Sequence, residues 1–271
     1  MQLTEILGVL DSRVGYGYVP NPTPQPKQDE MNADPTLDTT SDNTTDSNPT
    51  QIQDVIATQD TEAAHKVYLT FDDGPSAYTE EILDILDEYN VKATFFVVGK
   101  EDEDSKERLR EIVNRGHSVG MHSYSHVYDD LYQSVEAFGA DLMKIKNYIF
   151  ETTGVECNIY RFPGGSSNTV SDIDVREFIR YLNEQGIRYF DWNIASGDAS
   201  TGQLNVGTIV ENATYSIESY STAIILMHDA YSKHHTVEAL PLIIENILAY
   251  EDTVILPITQ DTTPIQHIQI Q

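Results

Sequence analysis

The sequence predicts an α/β fold in which parallel strands form a compact or incomplete barrel. Short apolar segments alternate with segments in which apolar residues recur at helical spacing. Such alternation favours parallel strands joined by right-handed helical crossovers. About seven strand–helix units follow residue 65, and that number over roughly 205 residues is typical of a small barrel. A doubly wound open sheet is the alternative architecture.

Each predicted strand is a short apolar run that ends at a polar or turn-forming residue. The first covers residues 66–71 and is stopped by the sequence Asp-Asp-Gly-Pro. The remaining predicted strands cover residues 93–98, 118–121, 159–162, 187–192, 222–227 and 253–258. Helical spacing is clearest over residues 135–149, where the apolar side chains fall on one face.

Residues 1–65 are predicted to form a flexible, disordered linker, and residues 66–271 to form the folded domain. Residues 21–66 contain no aromatic residue and are rich in Thr, Asn, Asp and Pro. Such a segment buries too little apolar surface to offset the entropy lost on ordering. The apolar stretch at the start is too short for a signal or membrane helix. We therefore expect that the chain is not exported, or that this sequence begins after a removed leader or anchor.

The net charge of −28 and the isoelectric point of about 4.3 limit the classes of partner. A nucleic-acid backbone or an anionic lipid surface would be repelled, so neither is an expected partner. A neutral or amino-bearing polysaccharide is compatible with this charge. The single cysteine, Cys157, excludes an intrachain disulfide, and we expect it to be a small buried apolar residue.

Polar residues with catalytic potential follow several of the predicted strands. In a parallel barrel the functional groups lie at the carboxyl ends of strands. The residues found at such ends are Asp72, Asp73, His122, His126, Arg161, Asp191, Trp192, His228 and Asp229. Taken singly, most of them have an ordinary structural explanation, such as a turn, a salt bridge or core packing. Their common placement predicts a single site.

Two histidines and one carboxylate among these residues predict a metal site. If residues 122–126 turn helically, His122 and His126 share a face and both imidazoles can bind one ion. With Asp73 they form a three-ligand site that keeps positions open for water and substrate, as in catalytic zinc sites. Iron oxygenases use a similar triad. The neighbouring Asp72 and the separate His228 favour hydrolysis instead.

An acid–base pair is predicted beside this metal site. An acid–base histidine needs an orienting partner, and Asp191 is the candidate partner of His228. Arg161, if it lies near Asp72, would keep that carboxylate ionised.

Together these residues resemble the polysaccharide deacetylase family, which is carbohydrate esterase family four and carries the NodB homology domain. The resemblance covers about residues 66–260 and implies a distorted (β/α)7 barrel. The five motifs, in family order, are Thr70-Phe-Asp-Asp-Gly74, His122-Ser-Tyr-Ser-His126, Arg161-Phe-Pro-Gly164, Asp191-Trp192 and Leu226-Met-His228.

The resemblance also implies the chemistry of the site. Asp73, His122 and His126 would bind one metal, usually zinc, or another divalent transition ion such as cobalt. Asp72 would be the general base that takes a proton from the attacking water. His228 would be the general acid that protonates the leaving nitrogen.

Further roles carried over from the family concern the surroundings of these groups. Arg161 would tune Asp72, and Asp191 would orient His228. Trp192 and Leu226 would wall a small pocket for the acetyl methyl group. The backbone amide of Gly164 would help to stabilise the oxyanion.

The resemblance implies a metal-dependent hydrolase that removes N-acetyl groups from an amino-sugar polymer and releases acetate. The residues of the third and fourth motifs resemble those of Gram-positive cell-wall deacetylases. This resemblance favours peptidoglycan N-acetylglucosamine as the substrate and implies an extracellular or cell-surface location. The alternatives are a chitooligosaccharide deacetylase, an acetyl-xylan esterase and a non-catalytic glycan-binding module. No membrane contact by this chain is expected, and a monomer is favoured.

One departure from the family pattern concerns the substrate groove. Many members carry an aromatic residue directly after the Arg-x-Pro of the third motif, whereas this chain has Gly164-Gly165. The backbone donor is retained, but an aromatic wall is lost. The tail after Pro264, including His267, is expected to pack over the outer surface of the barrel or to fray.

Overall fold

The computed structural model describes residues 63–200 and 204–270. The predicted linker, residues 1–65, therefore lies almost entirely outside the described residues. Within them no helix combines the length and the apolar character that crossing a membrane requires.

In the described part of the chain, eight parallel strands form one sheet. The strands are β1 (His65–Asp72), β2 (Thr94–Val97), β3 (Ser118–Met121), β4 (Ile159–Tyr160), β5 (Arg188–Tyr189), β6 (Ile194–Ala195), β7 (Thr222–His228) and β8 (Thr253–Ile255). Their order across the sheet is β5-β4-β3-β2-β1-β7-β6, and β8 pairs with β1. The predicted parallel α/β fold is confirmed.

Helices connect most of these strands. They are α1 (Thr79–Glu88), α2 (Glu103–Asn114), α3 (Tyr128–Leu131), α4 (Val135–Thr153), α5 (Val175–Glu184), α6 (Val206–Thr214) and α7 (His234–Leu248), with a 3₁₀ turn at Ile217–Ser219. Several begin at a side-chain cap. Asp102, for example, accepts a hydrogen bond from the backbone N–H of Ser105 at the start of α2.

The first strand is the centre of the sheet. β1 pairs with β2, β7 and β8, and Val67, Leu69 and Phe71 are completely buried. A strand that is buried on both faces has a nearly continuous apolar sequence, and this is why β1 can be predicted from the sequence. The position of β1 sets the position of the two aspartates at its end.

The predicted strand over residues 187–192 is wrong in detail, because two strands lie in this region. β5 pairs with β4, and β6 pairs with β7 on the opposite edge of the sheet. Between them, the N–H of Phe190 still donates to the carbonyl of Tyr160, whereas the N–H of Asn193 donates to the carbonyl of Ile224. Residues 190–193 thus carry the chain from one edge of the sheet to the other.

An aromatic cluster fills the core beneath the third motif. Phe138 of α4 contacts Tyr160, Phe162 and Phe178 at centroid distances of 5.0–5.7 Å. Cys157 is 2% exposed, as the sequence predicts, and burial raises the pKa of its thiol to about 11. Such a thiol is a structural residue.

His117 is a buried neutral histidine at the amino end of β3. Its Nδ1 accepts a hydrogen bond from the backbone N–H of Ala93 at 3.1 Å, and its ring packs edge-on against Phe95. Its Nε2 is buried and has no hydrogen-bond partner among the described residues. Burial, assisted by the charge of Lys92, lowers the pKa of His117 to about 3.

This shift has a consequence for acid stability. The folded pKa lies below the value of about 6.5 in the unfolded chain, so between these values only the unfolded chain takes up the proton. The contribution of His117 to the free energy of unfolding is fully present above about pH 6.5. It decreases by up to about 1.4 kcal/mol for each pH unit below that value. We expect His117→Asn, which keeps an acceptor for Ala93, to flatten this dependence. Urea denaturation of both proteins with a chelator, between about pH 7.5 and about pH 5, measures the two slopes. Parallel slopes would contradict the expectation.

Candidate metal centre and active site

The candidate site lies at the carboxyl ends of the strands, where parallel barrels carry their functional groups. β1 ends at Asp72 and the adjacent β7 ends at His228, and these two residues are partners in the strand register. The N–H of Asp229 donates to the carbonyl of Asp72 at 2.8 Å, which extends the ladder beyond both strands. The two predicted acid–base residues are therefore held side by side.

The three predicted metal ligands converge beyond β1 and β3. The Oδ1 of Asp73 lies 3.6 Å from the Nε2 of His122 and 3.2 Å from the Nε2 of His126. The three ligand atoms lie within 4.8 Å of one another. Within residues 63–200 and 204–270 this is the one such cluster of His, Cys, Asp and Glu side chains that could hold a metal.

The donor set fits a divalent transition ion. Ligand atoms about 2.0–2.1 Å from a tetrahedral zinc ion lie roughly 3.3 Å apart, close to both distances above. The Nδ1–H of His122 donates to the carbonyl of Arg161 at 2.9 Å, so the lone pair of Nε2 faces Asp73. The Oδ1 of Asp73 is buried and lacks a hydrogen-bond partner among the described residues. A cation bound between these atoms would satisfy that oxygen.

The expectation that His122 and His126 share a helical turn is wrong. They are joined by a loop in which Ser123 has φ 80° and His126 has φ 52°, both in the left-handed region. This region costs an L-residue about 1–2 kcal/mol, so other contacts must hold the loop. Asp141 on α4 does so by accepting hydrogen bonds from two successive backbone N–H groups of the loop, at 2.7 and 3.0 Å.

Asp72 and Arg161 form a buried ion pair beside the candidate metal ligands. The Nη1 of Arg161 donates to the Oδ1 of Asp72 at 2.9 Å and to the hydroxyl of Thr70 at 2.6 Å. Its other nitrogens donate to the carbonyls of Phe190 and Asp191, at 2.9 and 3.1 Å. Arg161 is completely buried and Asp72 is 2% exposed. A charge this deeply buried requires such full compensation.

Burial shifts the pKa values of Asp72 and His122 in opposite directions. It raises the pKa of Asp72, and the charge of Arg161 opposes this effect without cancelling it. It lowers the pKa of His122 to about 3, which keeps the imidazole neutral and able to bind a cation. A carboxylate with a raised pKa is the stronger proton acceptor, as a general base requires.

The predicted pairing of Asp191 with His228 is wrong, and Asp198 takes this place. The Nδ1–H of His228 donates to the Oδ1 of Asp198 at 2.7 Å, and the backbone N–H of His228 donates to Oδ2 at 2.8 Å. The hydroxyl of Thr236 donates to the same Oδ2 at 2.9 Å. These bonds fix the orientation of the ring.

The pKa shifts of His228 and Asp198 agree with an ion pair. Burial lowers the pKa of His228, but the hydrogen bond and charge of Asp198 outweigh it, and the net shift is upward. Burial raises the pKa of Asp198, but His228 outweighs it, and the net shift is downward. His228 therefore retains its proton to a higher pH than a free histidine does.

Asp191 instead holds a loop and the C-terminal segment. Its carboxylate accepts hydrogen bonds from the N–H and the hydroxyl of Ser166, at 2.8 and 2.5 Å, and from the N–H of His267 at 2.8 Å. Ser166 belongs to the loop that contains Gly164. These are the partners of Asp191, whereas the ring of His228 is bonded to Asp198.

The tail after Pro264 packs on the domain, as one of the two expectations had it, but it does so beside the candidate site. His267 packs edge-on against Trp192, with ring centroids 5.0 Å apart, and its Nε2–H donates to the Trp192 carbonyl. The N–H of Ile268 donates to the hydroxyl of Ser166 at 3.1 Å. The tail therefore supports the predicted acetyl-pocket wall.

The remaining predicted residues surround the same area. Gly164 and Gly165 both have positive φ, 78° and 77°, which favours glycine. A Cβ atom on Gly165 would lie 2.9 Å from the ring of Trp192, so this ring packs directly on the loop. Leu226 lies two residues before His228 on β7 and shares its face of the strand. The pocket and oxyanion roles of Gly164, Trp192 and Leu226 stay predictions.

Three residues hold this site in ways that the sequence does not indicate. Asp198 follows β6. An acidic residue after an apolar strand is a candidate site residue, but the two-residue strand β6 is too short to be recognised in the sequence. Asp229 accepts hydrogen bonds from the hydroxyls of Ser76 and Thr79, which fastens the loop after Asp73. Asp141 lies in mid-helix, where no local pattern indicates its role.

The chain is similar to known polysaccharide deacetylases in sequence. A family model described as polysaccharide deacetylase matches residues 59–189. A putative polysaccharide deacetylase of Bacillus subtilis is 32% identical over 184 residues, which are 67% of this chain and 63% of that protein. A peptidoglycan-N-acetylglucosamine deacetylase of Bacillus cereus is 30% identical over 66% of this chain and 64% of its own length. A bifunctional xylanase/deacetylase of Pseudobutyrivibrio xylanivorans is 32% identical over 67% of this chain and 28% of its own length. The match thus spans less than two thirds of each relative.

Solved structures extend the comparison. The catalytic domain of peptidoglycan N-acetylglucosamine deacetylase from Eubacterium rectale superposes with a TM-score of 0.70 and 38% identity, covering 76% of this chain and 94% of that chain. A polysaccharide deacetylase from Bacillus cereus superposes with a TM-score of 0.66 and 27% identity, covering 75% and 97%.

The buried ion pair can be tested through stability. Arg161→Met removes the cation and leaves Asp72 buried without its partner, so we expect the free energy of unfolding to fall by about 3–5 kcal/mol. Arg176→Met is the matched control, because Arg176 pairs with Asp174 on the surface and exposed pairs contribute little. Urea denaturation measures both changes. Equal, small effects of the two substitutions would show that the buried pair lacks the importance assigned to it.

Proposed function

Because the chain belongs to the polysaccharide deacetylase family, carbohydrate esterase family 4, we propose that it is a metal-dependent hydrolase that removes N-acetyl groups from an amino-sugar polymer. The observation that carries this proposal is the convergence of Asp73, His122 and His126 on one point beside Asp72 and His228. Metal-assisted hydrolysis of an amide uses a Lewis acid, a base and an acid, and this arrangement offers candidates for all three.

Zinc is the proposed ion, held by Asp73, His122 and His126. When bound, it would polarise the acetyl carbonyl and lower the pKa of a water molecule to about 7. A donor set of two imidazoles and one carboxylate supports this assignment. The neutral state of His122 and the unsatisfied Oδ1 of Asp73 support it further.

Asp72 and His228 divide the proton transfers. Asp72 accepts a proton from water as the oxygen attacks the acetyl carbon, and electrons move to the carbonyl oxygen. His228 then donates its proton to the amide nitrogen as the C–N bond breaks, which yields acetate and an amine. The opposite charges near the two groups support this division, since Arg161 faces Asp72 and Asp198 faces His228.

Other residues would stabilise and position the reacting groups. The backbone N–H of Gly164 would donate to the oxyanion, a contribution of about 3 kcal/mol in comparable sites. Trp192 and Leu226 would enclose the acetyl methyl group. Asp198 orients His228, and Asp191 acts indirectly by holding the loop of Gly164 and the ring of Trp192 in place.

Peptidoglycan N-acetylglucosamine is the proposed substrate, which implies a cell-surface or extracellular location. The relative from Bacillus cereus and the structural neighbour from Eubacterium rectale, both peptidoglycan N-acetylglucosamine deacetylases, support it. The xylanase/deacetylase of Pseudobutyrivibrio xylanivorans favours acetyl-xylan as the second candidate. Acetate release from muropeptides, chitin oligomers and acetyl-xylan, measured in parallel, distinguishes these substrates from one another and from a non-catalytic glycan-binding role.

Removal of a metal ligand should abolish metal binding and turnover together. We expect Asp73→Ala and His126→Ala to lose zinc on gel filtration and to release no acetate from wall fragments. His234→Ala is the control, because this exposed histidine lies on α7 outside the cluster and should retain both properties. Full activity of the wild-type protein after exhaustive chelation would refute the metal-dependent mechanism.

The pH dependence of the reaction should distinguish Asp198 from Asp191. Since the acid must carry a proton, activity falls as the pH rises through the pKa of His228. Asp198→Asn removes the charge that raises this pKa, so the alkaline limb of the kcat profile should move to lower pH and kcat should fall at least about tenfold. Asp191→Asn should not change the pH at which the alkaline limb of the kcat profile falls, even if it lowers kcat. A shift caused by Asp191→Asn alone would contradict the assignment.

A further inference from the structure

Tyr128 lies at the edge of the metal-ligand cluster without an assigned role. It begins α3, two residues after His126. Its ring packs edge-on against the ring of His126, with centroids 5.5 Å apart and planes at 87°. It also packs edge-on against Tyr132 at 5.9 Å. The ring is thus fixed from two sides, while part of it remains exposed.

The Tyr128 side chain reaches the loop that carries Gly164. A Cβ atom built on Gly164 would lie 3.2 Å from the Tyr128 hydroxyl and 3.3 Å from Cε1 of its ring. On the next residue, a Cβ atom on Gly165 would meet the ring of Trp192. Two aromatic rings therefore flank the diglycine, one on each residue. Tyr128 fills the space that a side chain at position 164 would otherwise occupy.

The hydroxyl of Tyr128 differs from those of its neighbours. The Tyr132 hydroxyl donates to the carbonyl of Pro163 at 2.8 Å, and the Tyr160 hydroxyl is buried. Within the described residues no hydrogen bond is formed by the Tyr128 hydroxyl, and this group is not among the buried polar atoms. A phenol is protonated near neutral pH, so it is a free donor beside the site.

We propose that Tyr128 is a substrate-positioning residue whose ring forms the groove wall next to Gly164 and whose hydroxyl hydrogen-bonds the sugar that carries the scissile acetamide. An aromatic ring with a polar tip suits the face and hydroxyl groups of a pyranose. The proposal rests on the proposed function. It implies that a residue from α3 supplies the aromatic wall that the diglycine lacks.

The test compares a sugar substrate with a small ester in the zinc-loaded full chain. Chitotetraose presents the sugar, whereas 4-nitrophenyl acetate presents an acetyl group without one. Tyr128→Phe should lower kcat/KM for chitotetraose about three- to tenfold, the range expected for one lost hydrogen bond. Tyr128→Leu should lower it further. Both variants should hydrolyse the ester within about twofold of wild type and bind zinc as wild type does, since the backbone of α3 is unchanged.

The control and the opposing outcomes are defined by the same assays. Tyr215→Phe, at an exposed site after α6, should change neither rate. If both substrates lose rate in parallel, or zinc affinity falls, Tyr128 only supports the loop and the proposal is wrong. It is equally wrong if both variants match wild type on chitotetraose. A wild-type protein that hydrolyses the ester but no acetylated sugar would instead overturn the proposed function, and with it the role of Tyr128.

Discussion

The site depends on one buried guanidinium. Arg161 follows β4, pairs with Asp72 at the end of β1, and donates to two carbonyls in the segment that crosses between the sheet edges. Its own carbonyl accepts from His122 and fixes the orientation of that imidazole. A charged group without access to solvent is tolerated only when each of these partners is present. His122, Asp72 and the crossing segment are therefore all held by this one residue.

Two strands of the same sheet give the two proposed acid–base groups opposite environments. Asp72 and His228 are register partners on β1 and β7, yet a cation faces one and an anion faces the other. The Coulombic effect of Arg161 favours a carboxylate, and that of Asp198 favours an imidazolium. A base and an acid can then coexist at one pH, and this separation of environments is a general way in which enzymes assign the two roles.

The sequence was informative where a local pattern decides the structure. β1 and the residues after it could be placed because a buried strand has an apolar run and a definite stop, and the structure brings Asp73, His122 and His126 together. The partner of His228 could not be predicted, because the choice between Asp191 and Asp198 depends on a two-residue strand, β6, that leaves almost no apolar signal. The loop conformation before His126 depends on Asp141, whose contacts span 16 and 17 residues. The docking of His267 is likewise a long-range contact that no periodicity encodes.

The edge strands β5 and β6 pair with β4 and β7, respectively, but not with each other. The segment between them therefore connects the two edges of the sheet covalently. A circular permutant opened between Tyr189 and Ile194 would keep every strand and lose this connection. Its two edges would be free to separate, and each would present unpaired backbone groups to other molecules. The shortness of β5 and β6, two residues each, limits that risk in the intact chain. New termini for engineering purposes therefore belong in exposed loops elsewhere rather than at this crossing.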